Sequence, residues 1–128
     1  MKTFLLITTL SLCFCAKKSI AQNNSVYDSL KTLNLNHYAS LPVDSFLRAI
    51  PQSYDYIKIT GNVDNFKVRG LLIYYPNNLN IWIKPSQYMY MNPVDPNRIW
   101  NLTLFKKEKA HLIEVMDPEL PPFLGYEQ

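Results

Sequence analysis

Cysteine is nearly missing from this 128-residue chain, and its placement matters more than its number. The only two, Cys13 and Cys15, fall inside an N-terminal apolar run. If that run is a leader, the remainder carries no thiol, which excludes cysteine nucleophiles, thiolate metal sites and disulfides. Glycine is almost as scarce. Gly61, Gly70 and Gly125 are too few and too dispersed for a phosphate loop, a dinucleotide fingerprint or a nucleophile elbow. The two histidines, His37 and His111, lie far apart, and no H-E-x-x-H pair occurs. No internal repeat, low-complexity linker or domain boundary breaks the chain.

The first residues, MKTFLLITTLSLCFCAKKSIAQ, place Lys2 before an apolar run from Phe4 to Ala16 and end in the small-x-small site Ser19-Ile20-Ala21 before Gln22. This is the pattern of a secretory signal peptide. The run is shorter than the roughly 20 apolar residues that span a bilayer. A lipid anchor through Cys13 or Cys15 is not expected, because Leu12 and Phe14 stand where a lipoprotein signal needs a small residue. The expected organisation is therefore residues 1–21 as leader, 22–116 as one domain and 117–128 as an extended tail. Of 13 basic residues, Lys2, Lys17 and Lys18 leave with the leader, so 10 remain against 10 acidic ones. The basic balance of the whole chain then disappears, and with it any case for nucleic acid or an anionic membrane surface. The product is expected to be exported, to the periplasm or outside the cell, with no transmembrane segment in the mature chain. Asn23-Asn24-Ser25 and Asn101-Leu102-Thr103 match the glycosylation triplet, a pattern frequent by chance.

What is present centres on Lys67 to Lys84, KVRGLLIYYPNNLNIWIK. Two apolar runs meet at Pro76, Asn77 and Asn78, residues suited to the corner and to left-handed backbone, so the stretch reads as a β-hairpin. Leu79, Ile81 and Ile83 alternate with Asn80, Trp82 and Lys84, sending the aliphatic set to one face. Upstream, Asn24 to Leu33 spaces Val26, Leu30 and Leu33 as a short helix, and Asn34, Asn36 and His37 break the pattern. Pro42 to Ile50 is a stronger helix. Val43, Phe46, Leu47 and Ile50 make one apolar stripe, Asp44 sits near the positive end, and Pro51 stops it. Alternation then predicts strands at Tyr54–Thr60, Trp100–Phe105 and Ala110–Met116, with turns at Gly61–Asn65 and Lys106–Lys109. Helices before short-linked strands predict an α+β fold: one or two short N-terminal helices packed on an antiparallel meander sheet of four or five strands.

No catalytic residue, cofactor or metal is expected. Asp44 and Ser45 could join a hydrolytic triad, but helix capping accounts for Asp44. The surplus lies in aromatic residues and methionine. Tyr74, Trp82, Tyr88, Met89, Tyr90, Met91 and Trp100 fall on the sheet or in the loop from Pro85 to Arg98, whose three prolines forbid a central strand except over Gln87 to Met91. Flat rings on a sheet face stack on sugars or anchor protein interfaces; they also simply pack across strands.

Tyr38-Ala39-Ser40-Leu41-Pro42-Val43-Asp44-Ser45-Phe46-Leu47 ending in Pro51, the Trp100–Val115 segment with Lys107-Glu108, and the leader end Ser19-Ile20-Ala21-Gln22 together resemble small uncharacterised exported proteins of Bacteroidota. In layout alone, helices before an antiparallel sheet also resemble modules of the outer-membrane assembly lipoprotein E and β-lactamase-inhibitor-protein type. Neither resemblance implies a site residue. The leading expectation is a non-enzymatic module that binds a protein or envelope ligand through the aromatic face and the 85–98 loop. The alternatives are a hydrolase or carbohydrate-active enzyme using His37 or His111 with an aspartate, and an inhibitor or immunity-type protein.

Overall fold

A computed structural model of the chain describes residues 25–62, 67–85, 89–90 and 102–127. Residues 1–24, 63–66, 86–88, 91–101 and 128 lie outside them, and with them the expected leader. Residues 25–31 form α1 and are followed by α2 (Leu35–Ala39) and α3 (Val43–Ala49). The strands are β1 (Tyr56–Asn62), β2 (Lys67–Tyr74), β3 (Asn80–Pro85), β4 (Met89–Tyr90), β5 (Ala110–Met116) and β6 (Phe123–Tyr126), with α4 (Leu102–Phe105) before β5. All pairs are antiparallel in the order β1-β2-β3-β5-β6, and β4 pairs with β2. The α+β fold with helices on an antiparallel sheet is thus the observed one.

The hairpin forms as its sequence requires. Asn77 and Asn78 both take positive φ (60° and 66°), and the Tyr75 amide donates to the Leu79 carbonyl at 2.8 Å across the turn. Leu79, Ile81 and Ile83 are fully buried, as are Leu71 and Ile73 opposite them. The apolar stripe of α3 meets that face: Val43 and Phe46 have no exposed surface, and Leu47 and Ile50 almost none. Val26, Tyr27 and Leu30 of α1 and Leu35 and Ala39 of α2 complete one core with Ile113 and Val115 of β5.

Several segments differ from their reading in sequence. Leu102–Phe105 is helical rather than extended, because alternation over so few residues does not separate a strand from a helical turn. The curl buries Phe105 and brings the Lys106 and Glu108 carbonyls to the amides of Asp44 and Val43, at 3.0 and 2.8 Å. Those bonds satisfy the start of α3, where Pro42, the N-cap rather than a first-turn residue, has no side chain to do so. Asn34 does not end helical structure. Its side chain accepts from the His37 amide and so begins α2. Strand β1 starts at Tyr56 instead of Tyr54 and runs on past Thr60, since Arg69 of β2 is an extra residue between the pairs Thr60↔Gly70 and Gly61↔Val68. That bulge is why Val68 and Leu71, three apart, both face the core.

The segment after Asp117 is extended over Phe123–Tyr126, where it pairs with β5 as an edge strand. Its proline-rich approach is tied down. The Tyr27 hydroxyl donates to the Pro121 carbonyl at 2.7 Å, and the Tyr27 ring meets Phe123 edge-on at 5.3 Å. Pro85, which has no amide hydrogen, marks the point where β3 leaves its register; Met89 and Tyr90 rejoin beside Val68 and Lys67.

Candidate functional site

Strand alternation that sends one set of side chains to the helices sends the other to the opposite face, and the register shows which residues meet there. Lys58, Leu72, Trp82, Glu114 and Leu124 form one row across five strands. Tyr56, Tyr74, Asn80 and Met116 form the next, and Lys84, Leu112 and Tyr126 a third. At about 4.8 Å per strand, the first row spans about 19 Å, the width of a small interface core. The buried residues of the described helices all join the cluster on the other face.

This outer face is a mixture of rings, aliphatic side chains and a few charges. Tyr56 and Tyr74, directly opposite, stack at 4.4 Å with their planes 21° apart. Trp82 lies over Gly70: a Cβ there would come well inside 3.0 Å of the indole nitrogen, so the glycine is the floor on which the ring rests. Tyr56, Tyr126 and Leu124 are 54, 51 and 44% exposed, high values for such side chains. Between the tyrosine pair and Met116, the buried Asn80 Oδ1 has no hydrogen-bond partner among the described residues. A buried acceptor left so is uncommon.

Of the residues singled out in the sequence, Tyr74 and Trp82 lie together on this face, half-buried. Met89 and Tyr90 are placed by their backbone in β4. Tyr88, Met91, Trp100, Cys13, Cys15 and most of the 85–98 loop lie outside the described residues. Tyr56, Leu72, Leu124 and Tyr126 were missed. The alternation of β1 carried a signal for Tyr56, whereas the prolines before Phe123 hid the strand that places Leu124 and Tyr126.

The histidines are separate. His37 is exposed on α2 with its ring edge-on to Tyr38, and His111 is exposed on β5 with Nδ1 3.2 Å from Glu127 Oε2. Glu127 also pairs with Lys109, and these two partners hold its carboxyl below the usual carboxylate range. On the helix side, a cleft of about 430 Å³ is lined by Pro42, Asp44, Ser45, Arg48, Lys106 and Lys107. No histidine lines it, and its carboxylate, Asp44, is paired with Arg48. Among the described residues no group of three His, Cys, Asp or Glu side chains could hold a metal ion, and no helix is long and apolar enough to cross a membrane.

Comparison with known proteins found no matching family model, no matching curated protein and no matching solved structure.

Proposed function

We propose that this chain is a small exported, non-enzymatic module that holds a protein partner of the cell envelope against the outer face of its sheet. The observation that carries the reading is one sheet face bearing Tyr56, Tyr74, Trp82, Leu124 and Tyr126 together, with no described helix over it. Large rigid rings give contact area at little conformational cost, and a flat face a few strands wide supplies the central patch of a protein interface. Lys58, Lys84 and Glu114 add charges that orient a partner. Export rests on the N-terminal leader pattern alone. The 85–98 loop, of which Pro85, Met89 and Tyr90 are described, belongs to the same reading.

The test is capture from the native envelope with a Tyr56→Ala, Tyr126→Ala double variant. Both side chains are about half exposed, so their loss leaves the core intact. The expected result is that partners held by the wild type are lost while the unfolding midpoint barely moves. Retention of every wild-type partner by the folded variant would sink the proposal. Fractionation of producing cells checks export, with the mature chain expected to start at Gln22.

A further inference from the structure

The sheet has two edges, and they are unlike each other. At one, β6 is four residues long and is held by the Asn36 side chain, which accepts from the Tyr126 amide at 3.0 Å, and by Leu35, packed onto Gly125. At the other, β1 runs for seven residues and among the described residues pairs only with β2. About half of the backbone donors and acceptors of such a strand point away from its single neighbour, ready to pair with another strand. Proteins blunt such edges with proline, inward-pointing charge or shortness. β1 has no proline and no inward-pointing charge: its one lysine, Lys58, is on the outer face, its bulge lies only at the Thr60–Gly61 end, and Ile57 and Ile59 on either side of Lys58 turn toward the core.

Beside this edge, on the helix side, lies a cleft of about 300 Å³ lined by Tyr54, Ile57, Leu47, Arg48, Gln52, Asp44 and Lys106. It adjoins the larger cleft, with which it shares Asp44, Arg48 and Lys106. Leu47 and Ile57 are its apolar part. Arg48, Lys106 and Lys107 around the two clefts face a single carboxylate, Asp44, which Arg48 engages at 2.5 Å. The Gln52 amide is already committed to the Leu47 and Ile50 carbonyls, at 2.9 and 2.7 Å. Among the side chains lining the two clefts the surplus is therefore positive charge, and Asp55, just before β1, lines neither.

We infer that β1 accepts an extended peptide as an added strand, and that alternate side chains of this peptide enter the adjoining cleft carrying a carboxylate. The main chain of the peptide would satisfy the outward groups of β1, while every second side chain meets the cleft. An aliphatic residue covers Leu47 and Ile57. A glutamate or aspartate beside it reaches Arg48, whose five donors can hold a second carboxylate without releasing Asp44, and Lys106. A second copy of this chain is the poorer occupant. Pairing β1 with its own image in a continuous sheet puts both helix layers on the same side, so two clefts of like charge would adjoin. This surface is distinct from the outer face and does not depend on it.

The experiment uses isotope-labelled full-length protein and synthetic heptapeptides of alternating threonine, with Val-Glu-Val on the other face, and a counterpart with lysine replacing glutamate. Two further probes carry the glutamate sequence with N-methyl groups on one or the other alternate set of amides. The expected result is that the glutamate peptide shifts β1 amide resonances and binds at least about tenfold tighter than the lysine peptide. Methylating one alternate set abolishes binding and methylating the other does not, because only one set faces β1. An Arg48→Glu, Lys106→Glu variant reverses the preference. Equal binding of the two charges, indifference to both methylations, shifts confined to the outer face, self-association through β1 without peptide, or no binding at millimolar peptide would each overturn the inference. The methylated probes leave the protein unaltered, so the result does not rest on a variant's folding.

Discussion

Two of the three glycines are defined by what touches them. A Cβ on Gly125 would fall well inside 3.0 Å of both the side chain and the backbone of Leu35, so α2 and β6 approach as closely as they do only because that position is bare. Gly125→Ala is expected to destabilise by about 1–3 kcal/mol, the usual range for overpacking, with loss of hydrogen-exchange protection centred on β6 and α2. A unchanged midpoint in thermal unfolding would contradict this. At the hairpin turn, Asn77 and Asn78 occupy the left-handed region, which a β-branched side chain resists. Asn78→Val should cost about 1–2 kcal/mol, whereas Asn78→Gly should be tolerated, and denaturant titration separates the two. Buried Tyr75, whose hydroxyl donates to the Pro51 carbonyl at 2.6 Å, has its pKa raised by burial and by the neighbouring Tyr54. Its folded pKa lies above the unfolded value of about 10, so stability is complete below that pH and declines above it. Tyr75→Phe is expected to flatten that alkaline decline, measured as unfolding free energy against pH.

At the scale of elements, α3 organises the helix layer. Its seven residues are too few to stand alone, and it persists because its stripe is buried and its first amides are met by the Lys106 and Glu108 carbonyls. Phe46, fully buried and edge-on to Tyr38 at 5.6 Å, is the largest side chain of the stripe. Phe46→Ala should cost about 3–5 kcal/mol, a large share of a small domain's stability, read from chemical denaturation. The stripe was legible because one helical period and one proline stop sufficed to reveal it. The curl at Leu102–Phe105 was not, since a helical turn and a short strand present Leu102, Leu104 and Phe105 in nearly the same pattern. What selects the turn is the demand of α3 for two carbonyls, a partner some sixty residues upstream. Likewise Asn34 reads as a helix breaker until its side chain is seen bonded to His37.

Over the whole molecule, the chain's described ends are brought together. Tyr27 near the first described residues holds Pro121 and Phe123 near the last, and Glu127, whose amide donates to the His111 carbonyl, pairs through its carboxylate with Lys109 and His111. Because those partners lower the folded-state pKa of Glu127, the stabilisation is present above the unfolded glutamate value and is lost as pH falls through the folded one. Acidification should therefore loosen β6 first, with exchange protection of Tyr126 and Glu127 falling below about pH 4, and Glu127→Gln should remove most of that dependence. The pair is exposed, so the effect is local rather than global.

Amino-acid order alone determined the hairpin, the buried stripe of α3 and the α+β class, because each depends on periodicity and turn chemistry within a few residues. The aromatic surplus was visible there too, through Tyr74 and Trp82. Only the tertiary structure decided that Tyr56, Leu124 and Tyr126 share their face, that Arg48 and Lys106 line one cleft beside β1, and that the residues after Asp117 return to the sheet. Those outcomes rest on strand register and on contacts between segments distant along the chain, which local patterns do not encode.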